Sequence, residues 1–197
     1  MSRNVSRRWV LTALPVALSA CAVPPEKRSP PTTIEIAALG NEISALGDVV
    51  DPDEARRAAR VAYAHTRELA IQYEIVDPPL IHNTKVNMGI KPRGLCWHWA
   101  EDMEKRLALE NFETLTLHRA IANADNDFRI DHSTVIIAAR GDAWDDGIVL
   151  DPWRKGGTLF WDQVKDDTRY TWVDRNEVFD WKIRQLKAEG NWPPAEA

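Results

Sequence analysis

Ser133 to Ala139 reads Ser-Thr-Val-Ile-Ile-Ala-Ala, an apolar, β-branched run suited to a strand buried inside a sheet. Gly147 to Leu150 is a second such run, and Gly141-Asp142 lies in the connection between them. Leu115-Thr116-Leu117, Thr158 to Trp161 and Tyr170 to Val173 are shorter β-prone segments. Ahead of all of these the pattern is helical. Asp51-Pro52-Asp53-Glu54 supplies a capping residue, a proline at the first helical position and an acid at the third. Ala55, Ala58, Ala62, Leu69 and Ile71 carry that helix to about Tyr73, where Asp77-Pro78-Pro79 stops it. Ile34 to Leu46 has helical spacing, with Gly40 and Gly47 predicting a short or broken helix. Pro79 to Gly94 reads as a polar loop, Cys96 to about Leu109 as a second helix, and Glu177 to Ala188 as a closing one. Helices first and an antiparallel sheet second predict an α+β domain, with N-terminal helices and a cysteine-bearing helix packed on the sheet.

The chain has 197 residues and two cysteines, Cys21 and Cys96. Residues 1–20 read as an export signal: Arg3, Arg7 and Arg8 precede an apolar run from Trp9 to Leu18. That run is too short to span a bilayer, which takes roughly 20 apolar residues. It ends in Leu18-Ser19-Ala20-Cys21, which resembles the lipobox of bacterial lipoproteins. That resemblance implies cleavage before Cys21, acylation of its sulfur, and a lipid anchor to a membrane of the bacterial cell envelope, facing the periplasm or the exterior. Residues 21–33, with Pro24, Pro25, Pro30 and Pro31, would then form an extended tether, and 34–197 the folded domain. Losing three arginines and no acid takes the net charge from −5 to −8. That acidity argues against nucleic acid as a partner. With Cys21 lipidated there is no intramolecular disulfide, so packing must supply the stability.

Cys96 is then an unpaired thiol in an oxidising compartment, a liability unless its chemistry is used. It sits in Gly94-Leu95-Cys96-Trp97-His98-Trp99-Ala100, where a Gly-containing loop meets the start of a helix. The free N–H groups and positive dipole end there favour a thiolate and can bind an oxyanion. Downstream come Asp131-His132-Ser133 and Leu150-Asp151-Pro152-Trp153. If the strands after His132 and before Asp151 pair around residues 141–146, both residues reach the same sheet edge. Cys96 as nucleophile, His132 as general base and acid and Asp151 as orienting carboxylate is an order thiol acyl transfer can use. Asp131 is the alternative carboxylate. Asn83, Asn87 and Trp97 are all available as oxyanion donors, and Trp97 and Trp153 adjoin the site residues. His65, His82 and His118 have no partner signature and read as surface or loop positions. Cys96 and His98 stand two apart on a helix, which is not a metal-pair spacing, and no second Cys/His pair follows. No metal or other cofactor is expected, a zinc site on Cys96, His132 and Asp151 being the competing arrangement.

On these residues the chain resembles the transglutaminase-like superfamily of papain-fold cysteine enzymes. The likeness rests on Gly94 to Ala100 for the nucleophile helix, His132 opening a strand, and Leu150-Asp151-Pro152 closing the next, over roughly residues 80 to 172. Where many relatives carry an aromatic soon after the histidine, Ser133, Thr134 and Val135 follow here. The resemblance implies Cys96, His132 and Asp151 in the three roles above. The superfamily includes transglutaminases, peptidases, amidases and inactive relatives, so it implies a site more narrowly than a reaction. The expectation is hydrolysis of a peptide, isopeptide or carboxamide bond in a peptide or protein substrate of the envelope, through a thioester on Cys96. The alternative is a catalytically silent lipoprotein that binds an envelope protein on the same scaffold.

Overall fold

The computed structural model describes residues 23–192. The expected export signal and Cys21 lie outside the described residues. What is described is an α+β domain with five α-helices and one five-stranded antiparallel sheet among those residues.

Helix α1 (Thr33–Ser44) starts with a reciprocal cap: Glu35 N–H donates to Thr32 Oγ1, and the Glu35 carboxylate accepts from Thr32 N–H. It is unbroken through Gly40. It packs there on α2 (Pro52–Gln72), where even a Cβ at Gly40 would meet Arg56 and Ala59 at ordinary contact distance. Helix α2 is capped as its sequence predicts, with Asp51 accepting from the N–H groups of Asp53 and Glu54. The Glu54 carboxylate then reaches across to the N–H groups of Glu113 and Thr114 at 2.7 and 2.8 Å, tying the start of α2 to the start of the sheet.

Pro79–Asn87 forms a helix, α3, where a loop was expected. Its apolar residues do not mark a buried face, since Leu80 and Ile81 are exposed, and its buried side chain is His82. That also corrects the surface reading of His82. Helix α4 (Cys96–Ala108) follows.

The sheet runs β4-β3-β2-β1-β5, built from β1 (Leu115–Ala122), β2 (His132–Ala139), β3 (Ile148–Asp151), β4 (Phe160–Gln163) and β5 (Trp172–Asp174). Strand β1 extends five residues beyond the Leu115–Leu117 expected, because it is paired along its length with β2. Helix α5 (Arg175–Ala188) closes the described chain. One sheet face, with Val135, Ile137, Ile148 and Leu150, packs on Leu39, Ile43, Ala58, Met103 and Leu107 of α1, α2 and α4. The other, with Ala120, Ala122, Ile136 and Val149, packs on Tyr170 and Trp172. Strand alternation thus sends consecutive residues of β2 into two different cores.

The proline-rich stretch, expected to be an extended tether, is held on the domain at Pro25 and Arg28 among the described residues. Pro25 is buried in a 3₁₀ turn, and the Arg28 guanidinium donates to the carbonyls of Gly156 at 2.6 Å and Ile75 at 3.0 Å. Arg67 donates to the Arg28 carbonyl in return. Two guanidiniums answering backbone carbonyls supply what the prolines themselves cannot. No helix among the described residues is long and apolar enough to cross a membrane.

Candidate active site

Cys96 opens α4 without a capping side chain at Leu95. The ends of the preceding loop are satisfied from inside instead: Gly94 and Leu95 donate their N–H groups to His98 Nδ1, at 3.1 and 3.2 Å. Trp99 Nε1 donates to the Gly94 carbonyl, and the Arg93 carbonyl meets His82 Nε2 at 2.9 Å. Gly94 has φ +123°, and any Cβ there would collide with the His82 ring. Buried His82, His98 and Trp99 therefore set the loop that delivers the cysteine. Burial, then the nearby Arg93 charge, lower the His98 pKa, which keeps Nδ1 an acceptor.

The pairing of β2 with β3 places Val135 opposite Leu150. One step further back puts Thr134 opposite Asp151, so His132 and Asp151 stand a diagonal step apart on one sheet face. Their side chains meet, His132 Nε2 to Asp151 Oδ2 at 2.6 Å, and each is only 1% exposed. Burial pulls the His132 pKa down. The Asp151 charge and hydrogen bond, then the neighbouring Cys96, outweigh it and lift the imidazole to about 9. For Asp151 burial pushes upward, but His132 and then Arg154 hold its pKa below the ordinary carboxylate value.

Cys96 is the free cysteine among the described residues and is 6% exposed. Its thiol donates to the Asp131 carbonyl at 3.4 Å, one residue before His132. His132 Nδ1, turned away from Asp151, is buried and makes no hydrogen bond. The structure therefore brings Cys96, His132 and Asp151 into one cluster. The Asp131 carboxylate is elsewhere, paired with Lys182 on the rim.

Of the three residues considered for the oxyanion, Trp97 lines the cleft over Cys96; the residue is 47% exposed and its ring packs on His98. Helix geometry leaves the N–H groups of Cys96 and Trp97, at the first two positions of α4, without a partner in the helix. Asn83 accepts from Trp153 Nε1 at 3.0 Å, and that indole packs on the His132 ring at 4.6 Å. Asn87 is exposed at the end of α3. Neither asparagine lines the cleft.

Sequence reasoning missed the layer behind Asp151. Arg154 donates to Asp151 from its backbone N–H and from Nε, and makes a two-pronged pair with Asp167, at 3.0 and 2.6 Å. Asp167 also accepts from Trp172 Nε1 at 2.9 Å. Tyr170 and Trp172 cover the His132 ring, at 4.6 and 5.3 Å between centroids. The signal available in sequence was Arg154 three residues beyond Asp151. Nothing local points to Asp167.

The cleft over Cys96 has a volume of about 470 Å³ and lies between α4 and α5. Among the described residues no group of three or more His, Cys, Asp or Glu side chains is placed to hold a metal ion. Comparison of the chain with protein-family models, with curated proteins and with solved structures found no match.

Proposed function

We propose that this protein is a cysteine-dependent acyl-transfer enzyme of transglutaminase/papain-like architecture. In this reading it hydrolyses a peptide, isopeptide or carboxamide bond through a thioester on Cys96. One observation carries the reading: a buried His132 whose Nε2 is committed to Asp151 and whose Nδ1 is left free beside the only described thiol. Buried His82 also leaves its Nδ1 unpartnered, so what distinguishes His132 is the Cys96 thiol beside it and the Asp151 carboxylate on its other nitrogen. An open nitrogen next to a thiol at a helix start is the arrangement acyl transfer needs.

The thiolate attacks the carbonyl carbon, forming a C–S bond while the oxyanion takes hydrogen bonds from the Cys96 and Trp97 N–H groups. The C–N bond breaks and the proton on His132 Nδ1 passes to the departing amine. Water then attacks the thioester, giving its proton to His132, and the carboxylate product leaves with Cys96 restored. Asp151 keeps Nε2 protonated throughout, so Nδ1 is the nitrogen that exchanges protons. An amine in place of water would make the same site a transamidase. The resemblance of Leu18-Ser19-Ala20-Cys21 to a lipobox supports a reaction in the cell envelope, on a substrate reached from a membrane anchor at Cys21.

The test is the alkylation rate of Cys96 by iodoacetamide against pH, in the wild type and in His132→Ala. Rapid labelling at neutral pH that slows at least tenfold in the variant supports the pair. Labelling at the rate of an ordinary thiol, indifferent to His132, overturns it and leaves the silent partner-binding lipoprotein.

A further inference from the structure

The cleft over Cys96 is lined by three cations and three carboxylates, and their pairing leaves one cation over. Lys105 meets Glu101 at 2.7 Å and Arg119 meets Glu104 at 3.0 Å, while Asp131 is answered by Lys182 from the rim. Arg175 has no carboxylate within ion-pair distance and no side-chain hydrogen bond among the described residues. The chain carries 30 acids to 25 Lys and Arg, so an unanswered guanidinium is not explained by a shortage of partners.

Its position is built. Asp174 pairs with Ala120 across β5 and β1, and its carboxylate caps α5 by accepting from Asn176 N–H at 2.7 Å. Arg175 is the next residue, beside the strand that also carries Arg119 and Ile121 into the cleft. One turn on, Phe179 takes the guanidinium against its ring at 4.4 Å and lines the cleft with it. The stacked face is held and the N–H edge stays available, which is how a guanidinium presents its fork to a carboxylate.

We infer that Arg175 is a specificity-determining residue that anchors a carboxylate of the substrate, so that the protein acts on amides flanked by an acidic side chain or a free C-terminus. This rests on the acyl-transfer reading of Cys96. The shared chemistry is the carboxylate.

The Cys96 thiolate displaces iodide from iodoacetate and from iodoacetamide by the same reaction, and the two differ in one carboxylate, so the ratio of their rates reads the cation directly. Rates are measured on the full chain, by mass spectrometry of the Cys96 peptide. The wild-type ratio should exceed that of Arg175→Gln about threefold to tenfold, as a unit charge at close range in a partly screened cleft predicts. Arg175→Lys should retain part of the excess, and Lys187→Gln, a charge outside the cleft, should retain all of it. An unchanged ratio in Arg175→Gln, with labelling still dependent on His132, overturns the inference and leaves the acyl-transfer reading intact. An equal drop in Lys187→Gln also overturns it, because bulk charge would then explain the preference. Labelling indifferent to His132 overturns both. Two pairs of chloroacetyl peptides separate the sources, one exchanging Asp for Asn and the other a free for an amidated C-terminus. The pair whose rates diverge in the wild type and converge in Arg175→Gln identifies the carboxylate.

Discussion

Arg154 holds Asp151 at both oxygens, its backbone N–H on Oδ1 at 3.0 Å and its Nε on Oδ2 at 2.9 Å. Oδ2 is also the oxygen that meets His132. The carboxylate that orients the imidazole is therefore itself oriented, and its rotation is denied by three hydrogen bonds. Asp167 does the same for Arg154 from behind, which makes a buried row of alternating charge reaching from Trp172 to His132.

Removing the middle of that row should be costly. Arg154→Ala leaves two carboxylates buried without their cation and should destabilise the fold by about 3–5 kcal/mol. Asp167→Asn keeps one prong and the shape and should cost about 1–3 kcal/mol. Chemical denaturation of both variants at one pH checks the order.

The His132–Asp151 pair gives stability a pH signature. Because the folded imidazole titrates near 9, above its ordinary value of about 6.5, its contribution is complete below about pH 6.5 and is lost as pH rises through 9. A gap of that size corresponds to about 3 kcal/mol. The Asp151 contribution has the opposite sense, present above the ordinary carboxylate range and lost as pH falls below it. Urea unfolding at pH 6, 7.5 and 9 should show the alkaline decline in the wild type and not in His132→Ala.

Two aspartates flank the histidine in sequence or in space, and a pair of variants separates them. Asp151→Asn should slow alkylation of Cys96 at neutral pH tenfold or more, since the imidazole loses the charge that keeps it protonated and oriented. Asp131→Asn, which only removes a rim pair with Lys182, should change it less than twofold. The reverse order would assign the orienting role to Asp131.

Gly94→Ala tests the loop that delivers the cysteine. A Cβ at φ +123° is strained on its own and meets the buried His82 ring, so the variant should lose about 2–4 kcal/mol. Cys96 labelling should slow with it, because the start of α4 has to move. Thermal unfolding and the iodoacetamide rate, measured on one sample, check both.

Local chemistry makes much of this protein legible in its sequence. The Asp51-Pro52 start of α2, the buried strand of Ser133 to Ala139 and the Cys96 helix each carry their signal within a few residues. The proximity of His132 and Asp151 was also readable, because two strands joined by a short connection have few registers open to them. Helix α3 was not readable: its apolar side chains face solvent and the residue it buries is a histidine whose partner, the Arg93 carbonyl, lies eleven positions on. The docking of the proline-rich segment was invisible for the same reason, since Arg28 finds Gly156 across 128 residues.

The sequence by itself therefore determined four of the five described α-helices, the presence and order of the strands, and the three residues with the chemistry for acyl transfer. Propensity, capping and alternation act over one or two turns, and those are interactions a linear reading contains. Tertiary structure alone decided that Arg154 and Asp167 stand behind Asp151, that Asp131 is drawn off to Lys182, and that Arg175 is left without a partner in the cleft. Those outcomes depend on which charges burial forces together and which it keeps apart, and that is settled only when the sheet and helices have closed on one another.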